Sequence, residues 1–309
     1  MKEYTVSKSD EGQRLDKYLG RILVNAPGSF IYKMLRKKNI KLNDSKASGS
    51  EKLNDGDNIK IYLSDETFDS FCAKESVDVS SYEKAYKTLK NINIVYEDDD
   101  MVVFNKPSNV LSQKSKPSDI SMNEYLIGYL LNCGIVNENS LNSFKPSILN
   151  RLDRNTKGLI IGSKTLKGST SISAMIKDRS LKKYYKATCM GRIDSPMLLD
   201  DYLIKDEKTN KVKVIKDNIP GSSPIKTYVT PINNYDDRTQ IEIELITGKS
   251  HQIRAHMAFI NHPLLGDYKY GNKSFNEKYG VNEQVLCAYK LVFPSDCPEE
   301  KWNNLIIKL

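Results

Sequence analysis

The 309-residue sequence predicts an α+β (mixed α/β) fold in two unlike parts, a small basic one followed by a larger one. Three observations lead there. Apolar residues recur at helical spacing in some segments and alternate in others, without the regular strand–helix–strand rhythm of a parallel sheet. Positive charge is concentrated at the start: residues 1–64 hold 13 Lys and Arg against 8 Asp and Glu. Residues 65–92 are Ser- and acid-rich and weakly periodic, and read as a linker between domains at 1–64 and 93–309.

Taken in order, "GQRLDKYLGRIL" spaces Leu15, Tyr18, Leu19 and Ile22 as one face of a helix. In "APGSFIYKMLRKKNIKLN", Ser29 is the expected cap of a helix. Its apolar side is Phe30, Ile31, Met34 and Leu35, and its other side Lys33, Arg36, Lys37 and Lys38. "KLNDGDNIKIYL" reads as a turn running into a strand. Beyond the linker, "NIVYEDDDMVVFNKPSNVLSQ" gives strand, acidic turn and strand, ended by Lys106-Pro107. "SILNRLDRNTKGLIIGSKT" leads into a short buried strand over Leu159–Gly162. "SISAMIKDRSLKKYYKATCMG" predicts helix, basic turn and strand, and "TQIEIELITG" a half-buried strand. "KSHQIRAHMAFINH" has helical spacing, and "LCAYKLVFP" is a further strand.

Composition bounds the function. With 39% hydrophobic and 28% charged residues, the sequence is that of an ordinary globular protein. No apolar run approaches the ~20 residues of a bilayer span, and the start lacks a signal-peptide core. Five scattered cysteines without a C-x-x-C pair fit reduced thiols and a cytoplasmic location. A net charge of +8 and a pI near 9.0 favour a polyanionic partner. The three histidines, at 251, 256 and 262, do not share a helix face as i, i+4 ligands would, so no metal is expected. Phosphate-loop, dinucleotide and G-x-S-x-G fingerprints are absent.

What remains is one carboxylate among cations. Arg151, Arg154 and Lys157 surround Asp153 at the mouth of its strand. An Asx turn is the ordinary reading of such an Asp. Alternatively, a neighbouring arginine keeps a desolvated carboxylate ionised, and such a group attacks or stabilises an anomeric carbon. Glycosidases want a second carboxylate, and none lies nearby in sequence. A lone Asp with Arg and Tyr neighbours suits a reaction whose leaving group never departs.

"NRLDRNTKGL" resembles the R-L-D-x-x-T-x-G-L signature of RNA pseudouridine synthases of the RluA type. Four further segments resemble that family in order: "VVFNKPSNVLSQ", "KKYYKATCMG", "LITGKSHQIRAHMAFINHPLLGDYKYG" and "LCAYKLVFP". The likeness spans about residues 93–295, and residues 12–63 are similar to a small RNA-binding domain named after a small-subunit ribosomal protein. Departures are Asn150 and Cys287 where His is common, Lys157 where Ser is, and Asn109 where Gly is usual.

The resemblance implies a catalytic domain with a mixed, largely antiparallel sheet, and isomerisation of uridine without cofactor or metal. It makes Asp153 the catalytic carboxylate, Tyr185 the base-stacking tyrosine and Arg254 the partner of Asp153. Tyr184, one register off, belongs to the opposite face. RNA contacts are expected from Arg151, beside the vacated base, from Arg36, Lys37, Lys38 and Lys41, and from Lys106, His251 and Gln252. The expected partner is large-subunit (23S) ribosomal RNA and the expected state a monomer. The alternatives are transfer RNA as substrate, a non-catalytic ribosome-assembly factor, and an N-glycosidase that would release uracil.

Overall fold

The computed structural model describes residues 1–72, 77–206 and 211–309. The first unit runs β1 (Lys2–Thr5), α1 (Leu15–Ile22), α2 (Gly28–Arg36), β2 (Ile40–Leu42), β3 (Ser45–Lys46), β4 (Asn58–Ile61) and α3 (Asp65–Phe71). Its sheet is antiparallel in the order β1-β4-β2-β3. Leu15 and Leu19 from α1, Ile31 and Leu35 from α2, and Ile59 and Ile61 from β4 meet in one core. The stripes that bury these residues turn Lys33, Arg36, Lys37 and Lys38 outward, where all four are exposed.

One expectation is corrected here. Ser29 does not cap α2: the helix begins at Gly28, directly after Pro27, whose carbonyl accepts the Phe30 amide at 2.8 Å. Proline fixes the entry angle, so Ser29 falls inside the first turn. Residues 65–92, read as a linker, carry two short helices. Ser64 caps α3 by accepting the Thr67 amide, Phe68 enters the first core, and Phe71 packs at a tilt against Phe30 with ring centroids 4.5 Å apart. On the far side, α4 (Ser80–Thr88) packs on α5 (Met122–Asn132) so closely that a Cβ on Gly128 would lie 2.2 Å from the Tyr82 carbonyl oxygen. Residues 73–76 of the expected linker lie outside the described residues. Helices this short bury only one or two side chains each, which leaves a faint periodicity to read.

The second unit continues with β5 (Asn93–Glu97), β6 (Met101–Lys106), α6 (Ser140–Ser143), β7 (Lys157–Ser163), α7 (Leu166–Lys177), β8 (Lys182–Met190), β9 (Met197–Asp206) and β10 (Lys211–Ile215). It closes with β11 (Ser223–Asn234), β12 (Arg238–Leu245), α8 (Gln252–Phe259), α9 (Lys273–Lys278), β13 (Leu286–Val292) and β14 (Ile306–Lys308). These strands form one sheet in the order β10-β9-β11-β12-β8-β13-β7-β6-β5, with β14 paired to β13. The ladder between β7 and β13 is parallel and the others are antiparallel, as a mixed, largely antiparallel sheet requires. The continuous apolar runs of β6 and β7 follow from burial on both faces. Val102, Phe104 and Ile160 meet α5, while Met101, Val103, Leu159 and Ile161 meet Trp302 and Phe293.

The parallel pairing depends on a glycine. Gly158 sits at φ +121°, and a Cβ there would lie 2.2 Å from the Ala288 carbonyl oxygen. Only glycine lets β7 approach β13 in this way, and the loop carrying Asp153 is held immediately before that contact. No helix among the described residues is long and apolar enough to cross a membrane.

Candidate active site

Asp153 lies in the loop that enters β7, and hydrogen bonds at several points tie this loop to its surroundings. The Asp153 carbonyl accepts the Thr156 amide at 3.0 Å, and the Thr156 hydroxyl accepts the Gln284 side-chain amide at 3.1 Å. Asn150 behaves as a strand residue through its side chain, accepting the Ile161 amide at 2.7 Å and donating to the Leu159 carbonyl. The Ser112 hydroxyl donates to the Leu152 carbonyl at 2.7 Å and accepts the Leu152 amide at 2.9 Å. Such a loop presents its carboxylate at a fixed place, a condition for catalysis by position.

Lys106 completes this scaffold, and its place corrects the expected RNA contact. Its side chain is fully buried, and its ammonium donates to the carbonyls of Pro107, Val110 and Arg154 at 2.8–3.0 Å. All three donors are spent on backbone, so none is left for a phosphate. Burial pushes its pKa down to about 8, with Asp153 pulling the other way. Lys106→Met should therefore destabilise the protein by about 3 kcal/mol, because three backbone carbonyls lose their donor. RNA affinity should stay within about twofold of wild type. Urea unfolding and RNA titration check this, and an affinity loss with unchanged stability would restore Lys106 to the RNA surface.

Gln252, also expected at RNA, is likewise withdrawn into the fold. Its Oε1 accepts from the Thr247 hydroxyl and the Lys249 amide, and its Nε2 donates to the Lys226 carbonyl and the Thr227 hydroxyl, all at 2.9–3.1 Å. It anchors the start of α8 to β11. Two residues later on that helix comes Arg254.

Arg254 stands between two carboxylates. Its Nε and Nη2 donate to the two oxygens of Asp267 at 2.7 and 2.8 Å, a planar fork, while Nη1 reaches Asp153 Oδ2 at 3.1 Å. The guanidinium also lies 5.1 Å from the centroid of the Tyr270 ring. Burial alone would favour a neutral Arg254, but Asp267 first and Asp153 second outweigh it and hold the cation. Asp267, 1% exposed, is pushed up by burial and brought below the usual carboxylate range by Arg254 and by the Lys269 and Tyr270 amides. Asp153 remains 24% exposed, open toward the cleft.

The neighbours are set with similar economy. His251, the residue before α8, adopts φ +56°, a left-handed conformation that costs a non-glycine residue about 1–2 kcal/mol. Its Nδ1 bonds the Tyr270 hydroxyl at 2.9 Å, which also accepts the Val212 amide, and its Nε2 lies 4.0 Å from Asp153 Oδ2. Burial lowers its pKa, against the pull of Asp153. His256 instead bonds Asp201 and Thr227, and His262 the Met190 carbonyl, so the three imidazoles serve three separate networks. Among the described residues, no three His, Cys, Asp or Glu side chains gather as metal ligands would.

Tyr185 on β8 is buried in the core beneath the cleft and lines it beside Asp153. Burial raises its pKa strongly, with the charge of Asp153 adding to the effect. Tyr184 points to the other face, where its hydroxyl donates to Glu244 at 3.1 Å. The cleft has a volume of about 1210 Å³. Its walls carry Lys114, Arg151, Arg154, Lys183, Lys205 and Lys249, against the carboxylates Asp153 and Asp267 that Arg254 already engages. Arg151 is exposed on one wall, and Arg36, Lys37 and Lys38 are exposed on the first unit, where Lys41 is partly buried over the Tyr62 ring. Asp267 and Tyr270, which hold Arg254, are the site residues that sequence reasoning missed; only their presence in the "HPLLGDYKYG" segment pointed toward them.

Fold and cleft define a class: an enzyme that sets one arginine-held carboxylate and a tyrosine inside a strongly basic groove suited to a polyanion. Comparison with known proteins narrows it. Residues 100–259 match the family model described as RNA pseudouridylate synthase. An RNA pseudouridine synthase of Mycoplasma genitalium is 32% identical over 300 residues, covering 94% of this chain and 89% of that protein. The ribosomal large subunit pseudouridine synthase C of Vibrio cholerae is 26% identical over 306 residues, covering 94% and 88%. In fold, human RNA pseudouridylate synthase domain containing 4 superposes with a TM-score of 0.55 at 18% identity, over 74% of this chain and 90% of that one. The chain belongs to the RNA pseudouridylate synthase family, whose reaction isomerises uridine in RNA to pseudouridine.

Proposed function

We propose that this protein isomerises uridines of large-subunit ribosomal RNA, with Asp153, Tyr185 and Arg254 as its catalytic residues. The observation that carries the reading is the Asp153 carboxylate, ion-paired to a buried Arg254 beside Tyr185 in a cation-lined cleft. The choice of RNA rests on relatives named as large-subunit synthases, whose similarity runs through the N-terminal unit as well as the sheet. The target nucleotide leaves its stack to enter the cleft, and Arg151 meets the RNA it vacates. Uracil stacks on Tyr185 while the ionised Asp153 acts on the ribose. Attack at the anomeric carbon and removal of the 2′ proton both use the same carboxylate in the same place. The N1–C1′ bond breaks, the base turns, a C5–C1′ bond forms, and the C5 proton leaves as N1 gains one. Each bond broken is matched by one formed within the same nucleotide, so the reaction consumes no co-substrate.

The N-terminal unit acts as an RNA-binding domain of the ribosomal-protein type, with Arg36, Lys37, Lys38 and Lys41 on phosphates. Neutralising Arg36, Lys37 and Lys38 together should weaken binding and reduce the salt slope of log K by up to about 2 to 3. A triple variant with the wild-type slope would remove this face from the interface. The overall reading is tested with transcripts labelled with tritium at uridine C5. Release from large-subunit rRNA without free uracil is expected. Release from transfer RNA alone would reassign the substrate, and free uracil would mean glycosidase chemistry.

A further inference from the structure

Beside the main cleft lies a second, smaller cavity of about 270 Å³, which shares Ile176, Lys183, Gly248 and Lys249 with it. Three cations line it, Arg179, Lys183 and Lys249, and no carboxylate does. Among the described residues none of the three makes an ion pair. Asp178, the nearest acid in sequence, turns its carboxylate to the Ser180 amide at 2.9 Å. Arg179 holds φ +70°, a left-handed conformation that a bare helix end would normally give to glycine or asparagine. Lys183 is partly buried, and burial first and the Arg179 charge second depress its pKa. Like charges gathered in a partly desolvated cavity repel one another, and a bound anion relieves that repulsion.

We infer that Arg179, Lys183 and Lys249 form a subsite for one RNA backbone phosphate, adjacent to the nucleotide being isomerised. The placement follows from β8. Lys183 and Tyr185 are two residues apart on one strand, so they share a face at a spacing of about 7 Å. With uracil on Tyr185, a phosphodiester of the same or the next nucleotide falls at the cavity. Ile176, Pro224 and Ile246 supply apolar walls that keep water from competing fully for the anion. The subsite draws the strand into register before chemistry begins and reads no base.

This inference rests on the proposed action on RNA, and its test separates the two. Binding of a fluorescein-labelled twelve-nucleotide oligouridylate is followed by anisotropy as salt is raised, for wild type, Lys183→Met, and the triple variant Arg179→Gln/Lys183→Met/Lys249→Met. Three cations on one phosphate predict that the triple variant lowers the salt slope by about 0.7, the value for one single-strand phosphate. Affinity at low salt should fall about tenfold. The melting temperature of Lys183→Met should be unchanged or raised, because a repelling charge has gone. A wild-type slope in the triple variant overturns the subsite, and so does a fall of about 2, which means three separate phosphates. If wild type binds no RNA and releases no tritium, the proposed function itself fails and the subsite with it.

Discussion

Asp153→Ala should lower the rate of isomerisation at least about 10⁴-fold, as removal of a central catalytic group does elsewhere, while RNA affinity stays within about twofold. The expectation follows from the division of labour in the cleft. On the proposed reading, binding energy comes from cations on the walls and on the N-terminal unit, and removing one carboxylate from a basic groove costs none of those contacts. Chemistry has a single exposed carboxylate to use, because Asp267 is buried and fully occupied by Arg254 and two backbone amides. Asp153→Asn is the sharper variant, since it keeps the shape and removes the charge. Single-turnover tritium release with saturating enzyme reads the chemical step alone. Retained activity in either variant would show that another group acts on the ribose.

Asp267→Asn should damage both stability and rate, and for one reason. Arg254 is buried, and its Nη1 is aimed at Asp153 because Asp267 fixes the other edge of the guanidinium through two bonds. An asparagine accepts through one oxygen and turns an amino group toward the cation. The buried arginine is then left with Asp153 as its only carboxylate partner, and breaking such a pair costs about 3–5 kcal/mol. The same change frees the guanidinium to swing and the carboxylate of Asp153 with it, so kcat should drop about 10²-fold, the cost of lost orientation. Urea unfolding and single-turnover rates measured on the same preparation check both. Stability within about 1 kcal/mol of wild type and an unchanged rate would mean that the clamp positions nothing.

How far the sequence alone led depends on the range of each interaction. Local patterns were legible: the alternation in "TQIEIELITG" and the apolar run of "GLIIGS" became β12 and β7 at nearly the positions read. The α+β class and the mixed sheet followed from those patterns and from the family likeness. Less legible were elements whose burial is small, such as α3 and α4 within the stretch read as a linker, which place only one or two buried side chains each in the cores on either side. Side-chain roles that depend on distant partners were the hardest. Lys106 and Gln252 look like RNA-facing polar residues in the sequence, yet Lys106 spends its hydrogen bonds on backbone and Gln252 on backbone and threonine hydroxyls brought near by the fold. Asp267 lies 13 residues beyond Arg254 with a turn between them, and no periodicity links the two. Asn109 shows the reverse case. Where glycine is usual it adopts φ +66°, a conformation that asparagine tolerates, so the turn survives the substitution.

The most direct test is a pseudouridine map by carbodiimide modification and primer extension across ribosomal and transfer RNA. It compares a deletion strain carrying either the wild-type gene or Asp153→Ala. Stops in large-subunit rRNA that appear with wild type and are missing with Asp153→Ala are the predicted result, and they would identify the target uridines at once. Identical large-subunit maps from the two strains would contradict it.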